Sequence, residues 1–249
     1  MDLKLDGRVA VVTGASRGLG RAIAVAYLSE GMRVLAVARA VESLADLAGE
    51  HGDAVRIVAA DMRDFSQVSD LVETALEAFG RLDVIVNNAG VAPAAIFADE
   101  PLSAWEEIFA VNLFGPVALT KAAGRHFLSA GAGKVVNIAS LSGLRGKATL
   151  AAYSASKGAL LRFTEALSGE WAHKGIQVNA IAPGAFVTEA QRHVLGDPEI
   201  LERRLRKIPV RRMGAAYEIG PLACYLASSL SDFVTGSTFV IDGGEYSKL

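Results

Sequence analysis

Seven short runs of β-branched and small apolar residues recur along the chain, separated by longer segments of helical period. "RVAVVT" (8–13), "RVLAVA" (33–38), "AVRIVA" (54–59), "DVIVN" (83–87), "KVVNIA" (134–139), "IQVNAI" (176–181) and "STFVID" (237–242) read as strands. Most are apolar at successive positions, as strands covered on both faces must be. Between them, "LGRAIAVAYLSEG", "FSQVSDLVETALEAFG", "SAWEEIFAVNLFGPVALTKAAGRHFLS" and "YSASKGALLRFTEALSGEWAHKG" carry apolar residues near the helical repeat. This alternation predicts an α/β chain: a Rossmann-type, doubly wound parallel sheet of seven strands with helices on both faces.

A chain of 249 residues suits one large core. No linker, low-complexity stretch or repeat divides it, so 1–249 is expected to form one domain. Residues 188 to about 216 break the rhythm and are longer than an ordinary connection, which suggests a lid over a binding site.

A formal net charge of −2 with 21% charged residues gives no basic surplus for nucleic acid. The apolar runs are too short to span a bilayer. "MDLKLDGRVAVVTGAS" has early acidic residues and no adequate apolar stretch for a signal peptide. A soluble, cytoplasmic protein is expected. The single cysteine, Cys224 in "PLACYLAS", cannot form an internal disulfide and reads as a small buried apolar residue. His51, His126, His173 and His193 have no metal-ligand spacing, so no metal is expected.

The first strand runs into "TGASRGLG", with Gly14, Gly18 and Gly20 at a strand-to-helix turn. Such a turn brings backbone N–H groups and a helix N-terminus against a pyrophosphate, although its G-x-x-x-G-x-G spacing differs from G-x-G-x-x-G. An NAD site wants a carboxylate at the end of the second strand. Here that strand ends Ala38–Arg39, and a guanidinium there suits a 2′-phosphate instead. Arg17 is expected to approach the same phosphate from the other side. NADP is therefore the expected cofactor. Asp61 closes the third strand, either to reach an adenine amino group or to serve the start of the next helix.

In "AAYSASKGAL", Tyr153 and Lys157 stand one helical turn apart among small residues. Alone, this could be two long side chains reaching solvent.

Seven motifs in register change that reading: "TGASRGLG" (13–20), "NNAG" (87–90), "VNLFG" (111–115), "VNIASLSG" (136–143), "YSASK" (153–157), "APGAFVT" (182–188) and "VIDGG" (240–244). With them the chain resembles the short-chain dehydrogenase/reductase family from residue 7 to about 244. The resemblance implies an oxidoreductase that interconverts a ketone and a secondary alcohol with NADP(H). Tyr153 would be the general acid/base, and Lys157 would lower its pKa and bind the nicotinamide ribose. Ser140 would hydrogen-bond the substrate oxygen, and Asn112 would hold a water of a proton relay. The implied cofactor contacts are Gly14, Ser16, Arg17, Gly18, Leu19, Gly20, Arg39, Asp61, Met62, Asn88, Ala89 and Gly90, with Tyr153 and Lys157. Pro183, Gly184, Thr188 and the Val187 backbone would hold the nicotinamide end, and Asn87 would be structural. A homotetramer is also implied.

Leu141, Ser142, Leu144, Arg145, Lys147 and Phe186, beside Ser140 and Tyr153, are the expected substrate-facing positions. In the lid, Arg203, Arg204, Arg206, Lys207, Arg211 and Arg212 crowd together. They form either a solvated helix face or an electropositive mouth for an anionic substrate. The sequence is similar to both 3-oxoacyl-carrier-protein reductases and gluconate 5-dehydrogenase-type enzymes, so a 3-oxoacyl thioester and a keto sugar acid both stay open. Gly131 stands where a carrier-docking arginine could sit, while Lys174 remains. A non-catalytic NADP-binding sensor on the same fold is the alternative.

Overall fold

The structure, a computed structural model, describes residues 2–247. Seven parallel strands form one sheet: β1 (Val9–Thr13), β2 (Arg33–Ala38), β3 (Val55–Ala59), β4 (Val84–Asn87), β5 (Gly133–Ile138), β6 (Ile176–Pro183) and β9 (Thr238–Ile241). Their order is β3-β2-β1-β4-β5-β6-β9. All seven predicted strands are present, with ends shifted by at most two residues. β1, β4, β5 and β6 are buried along their whole length, which explains their unbroken apolar character.

The chain winds outward from β1 to β3 and then returns to lay β4 on β1's other side, pairing Ala10 with Val84. That reversal opens a crevice beyond the strands' carboxyl ends. One face of the sheet is covered by α1 (Gly18–Ser29), α2 (Ala45–His51) and α10 (Gly220–Ala227), through Ile23, Tyr27, Leu47 and Leu226. The other is covered by α3 (Phe65–Phe79), α5 (Gly115–Ala130) and α7 (Ala151–Trp171), through Leu71, Leu119, Phe127 and Trp171. Cys224 is buried as expected, and burial pushes its thiol up to about 12. No helix of the described residues is long and apolar enough to cross a membrane.

Two departures from the sequence reading bear on the site. The predicted helix over 103–129 is two helices, α4 (Leu102–Phe109) and α5, joined by a π-helical turn over Ala110–Phe114. The Gly115 amide reaches back to Ala110 O, and Asn112 lies within this turn. Residues 188–216 carry more regular structure than the broken rhythm suggested. The two-residue strands β7 (Phe186–Val187) and β8 (Gly214–Ala215) pair at their base. Between them lie α8 (Arg192–Leu195) and α9 (Pro198–Arg206). "GDPEI" starts α9: Asp197 caps the Glu199 and Ile200 amides, and Pro198 takes the first helical position. The segment packs on its own apolar cluster of Ala185, Leu201, Leu205, Ile208 and Met213.

Candidate active site

A cleft of 1230 Å³ runs along the carboxyl ends of the strands, from the glycine turn to the base of 188–216. At its first end Gly14 has φ +67°, and a side chain there would lie 2.9 Å from Asn88 Nδ2 and from Ala89 Cα. A Cβ on Gly20 would lie only 2.2 Å from the same Asn88 Nδ2. Gly20 is buried beneath the turn and lets the backbones close, while Gly14, Ser16, Arg17, Gly18 and Leu19 line the cleft. The amide of Asn88 is spent on this turn, donating to Thr13 O at 2.8 Å and Gly14 O at 3.2 Å. Asn88 thus braces the cradle, with Ala89 and Gly90 beside it on the cleft wall. Asn87 is buried and donates to Thr120 Oγ1 and Asn137 Oδ1, a structural role as expected.

The residues present fit a dinucleotide phosphate. α1 begins at Arg17 with no side-chain cap and no acidic residue in its first turn, so its leading N–H groups suit an anion. Arg39 ends β2 as an exposed side chain on the cleft, with no acid at that strand end. Two expected contacts are otherwise engaged. Arg17 pairs with Glu189 at 3.0 Å, because the segment after Thr188 returns over the glycine turn. Asp61 is gripped by Arg63, whose Nε reaches both carboxylate oxygens at 3.0 Å, and the carboxyl pKa is lowered accordingly. The neighbouring Arg39 charge also favours the ionised form of Asp61. Arg63 bonds Glu107 as well. Asp64, not Asp61, caps α3. Met62 is buried between the cleft and Gly115.

Deeper in the cleft, two residues past β5, Ser140 caps the short helix α6 (Leu141–Leu144) by accepting from the Ser142 amide at 3.1 Å. Burial pushes the Tyr153 pKa up, and the neighbouring Ser140 hydroxyl pulls against it. Lys157, one turn on, is 3% exposed, and its Nζ donates to Ile138 O at 2.7 Å. Burial brings its pKa down to about 8. The expected lowering of Tyr153 by Lys157 is therefore not the dominant effect here. The dry site disfavours the charged form of each group, and a backbone carbonyl holds the ammonium. A Cβ on Gly90 would lie 3.5 Å from Lys157 Nζ, so the wall facing that ammonium carries no side chain.

Asn112 is fully buried and does not line the cleft. Its Oδ1 accepts from the Val91 amide at 2.9 Å, and its Nδ2 donates to Val91 O and Ser156 Oγ. Both donors are used, so the side chain clamps the strand after "NNAG" to α7. Any water it held would have to sit on its backbone carbonyl or the remaining Oδ1 lone pair.

Pro183, Gly184 and Thr188 line the cleft, and the Thr188 methyl lies 3.6 Å from where a Gly18 Cβ would be. The Val187 side chain is exposed outside it, which leaves only its backbone for the expected contact. Phe186 shows one edge to the cleft but is 5% exposed, its ring packed on Gly214. Leu144 does not line the cleft. It packs on Ala139, Leu161 and Ala180, because α6 turns that face towards the sheet. Leu141, Ser142, Arg145 and Lys147 do line it.

The cations of 188–216 divide. Arg204 and Lys207 face the cleft, whereas Arg206 pairs with Glu202 and Arg212 with Glu218. Sequence reasoning missed Gly143, Arg63, Glu189, Glu245 and Tyr246. Gly143 is the most consequential: a Cβ there would lie 2.7 Å from the Lys157 carbonyl carbon, so glycine lets α6 press Ser140 towards Tyr153. "SLSG" followed by "YSASK" contained that signal, since small residues on facing helices mark close backbone approach. Glu245 pairs with Arg204 across 41 residues, which no local pattern could reveal. Among the described residues no group of three or more His, Cys, Asp or Glu could hold a metal.

The chain is similar to known proteins along most of its length. Residues 14–245 match the family model described as Enoyl-(Acyl carrier protein) reductase. The 2-dehydro-3-deoxy-D-gluconate 5-dehydrogenase of Bacillus subtilis is 37% identical over 248 residues, covering 98% of this chain and 96% of the relative. The 3-oxoacyl-(acyl-carrier-protein) reductase of Synechocystis is 34% identical over 246 residues, covering 96% and 97%. A gluconate 5-dehydrogenase from Burkholderia cenocepacia, solved with NADP and tartrate, has a TM-score of 0.94 at 33% identity, covering 100% of this chain and 98% of that one. Sequence, fold and the arrangement around Tyr153 agree: the chain belongs to the short-chain dehydrogenase/reductase family.

Proposed function

We propose that the chain is an NADP(H)-dependent oxidoreductase that interconverts a ketone and a secondary alcohol on a small-molecule substrate. The cofactor, when bound, supplies or accepts the hydride. Gly14, Ser16, Gly18, Leu19 and the α1 N-terminus would bind its pyrophosphate, and Arg39 its 2′-phosphate. Arg17 would join Arg39 on leaving Glu189. Ala89, Gly90, Asp61 and Met62 would flank the adenosine half, and Pro183, Gly184, Thr188 and the Val187 backbone the nicotinamide.

Tyr153 Oη gives a proton to the substrate oxygen in reduction and takes it back in oxidation. Burial keeps the phenol protonated at neutral pH, the state in which it can donate. Ser140 Oγ, beside that phenol, stabilises the developing charge on the same oxygen. Lys157 holds a positive charge behind Tyr153 and binds the cofactor ribose. Asn112 positions the wall at Val91 against α7.

One observation carries this reading. The Ser140–Tyr153 pair and buried Lys157 face the same cleft that begins at a glycine turn with Arg39 beside it. A sensor that only bound NADP would have no need of this pair. We further read 1–249 as one domain, with 188–216 as its lid. We also read the chain as a soluble, cytoplasmic homotetramer, and exposed Phe97, Leu102 and Phe114 around α4 are apolar side chains that a second copy would cover. The relatives include enzymes named for sugar acids and for 3-oxoacyl thioesters. Initial rates of NADPH loss with 5-ketogluconate and an acetoacetyl thioester test the proposal. Turnover of either supports it, and NADPH binding without turnover of any ketone would return the sensor reading.

A further inference from the structure

The deep end of the cleft, beyond Ser140 and Tyr153, is walled by Arg145, Lys147, Arg204 and Lys207, with Glu245 facing them. Four cations meet one anion, and their commitments differ. Arg204 forks onto Glu245 at 2.5 and 2.7 Å, a half-buried pair that neutralises itself. Arg145 lies over the Tyr246 ring and donates to Tyr246 O. Lys147 and Lys207 have no carboxylate within ion-pair distance among the described residues. Desolvation, then Arg204 and Lys207, lower the Lys147 pKa, while Glu245 alone opposes them.

Lys147 is also held in place. Its backbone amide donates to Ser154 Oγ at 3.3 Å, on the helical turn that carries Tyr153. Two residues on, Thr149 has φ +63°, a left-handed conformation that a β-branched residue adopts only under constraint. The Thr149 carbonyl accepts from the Ala95 amide at 2.9 Å, which fixes the loop from its far side. The loop at 145–149 is solvent-exposed, so Lys147 is open to an incoming anion while it lines the cleft.

We propose that Lys147, with Lys207 and the Arg204–Glu245 fork behind it, forms a carboxylate subsite that selects hydroxy and keto acids over their neutral counterparts. The proposal rests on the oxidoreductase reading for its location but deepens it by assigning substrate charge. Lys147 is the primary contact. Lys207 adds long-range attraction, and Arg204 orients the lid through Glu245.

Calorimetry on the full chain with NADP+ tests this without requiring turnover. Gluconate and sorbitol are the probes, since they differ only in a carboxylate against a hydroxymethyl at C1. A charge-assisted contact predicts that gluconate binds about tenfold to a hundredfold more tightly than sorbitol. Lys147→Gln should cut that preference at least tenfold, and Lys147→Arg should restore part of it. Equal affinity for the two probes, or a preference untouched by Lys147→Gln and by Lys207→Gln, would overturn the subsite. Failure of the oxidoreductase reading would look different: wild type would still prefer gluconate, yet no ketone would consume NADPH.

Discussion

Arg17 and Glu189 meet across the cleft at 3.0 Å, tying the glycine turn to the start of the segment that follows Thr188. Both side chains are more than half exposed, so the pair contributes at most about 1 kcal/mol. It nevertheless occupies the guanidinium assigned to the 2′-phosphate. Glu189→Gln should tighten NADPH binding by up to about fivefold at low ionic strength, and NADH binding should not change. Fluorescence titration of both cofactors decides it: equal tightening would place the role of Arg17 elsewhere.

Arg39 follows β2 and makes no salt bridge among the described residues, although its charge is felt by Asp61. Losing charge-assisted hydrogen bonds to a phosphate typically costs roughly tenfold to a hundredfold in affinity. Arg39→Asp should therefore lower the NADPH-to-NADH ratio of kcat/KM by about a hundredfold. An unchanged ratio would remove Arg39 from cofactor selection.

Gly143→Ala would drive a methyl group into the α7 backbone at Lys157. Overpacking of this kind costs about 1–3 kcal/mol, and backbone cannot step aside as a flexible side chain would. A lower Tm together with a fall in kcat that exceeds any change in cofactor Kd is expected, because α6 carries Ser140. Wild-type kcat in the variant would show that α6 and α7 need not approach so closely.

Burial holds Lys157 near 8 against 10.5 for an ordinary lysine. The unfolded chain thus binds more protons than the folded one between those values, so this group's contribution to stability is lowest below pH 8 and grows as pH rises towards 10.5. Cys224, pushed up to about 12 from 9, acts in the opposite sense above pH 9. From pH 8 to 9 Lys157 should add about 1 kcal/mol. Denaturant unfolding of wild type against Lys157→Met isolates it: wild type should gain stability relative to the variant as pH rises from 8 if Lys157 is the source. A pH-independent difference would mean that its charge is not penalised.

Much of this was legible in the residues because period and motif are local. The seven strands follow from unbroken apolar runs, and the glycine turn and the Tyr153–Lys157 spacing follow from short patterns. What was not legible depends on partners far away in the chain. Asp61 is the local exception: its partner Arg63 is two residues on, within the same "DMRD" turn. Leu144 looked substrate-facing until α6 turned it onto Leu161. The lid arginines looked alike, and only the helical phase of α9 with the position of Glu245 separates Arg204 from Arg206. The π turn at Asn112, between α4 and α5, has no propensity signature.

The most direct test is the rate of NADPH consumption by Tyr153→Phe, beside its NADPH dissociation constant. The account predicts loss of at least a hundredfold in kcat, consistent with removal of a positioned general acid, with cofactor affinity within a few-fold of wild type. Near-normal turnover in a variant that lacks the phenolic oxygen would contradict the central role of Tyr153.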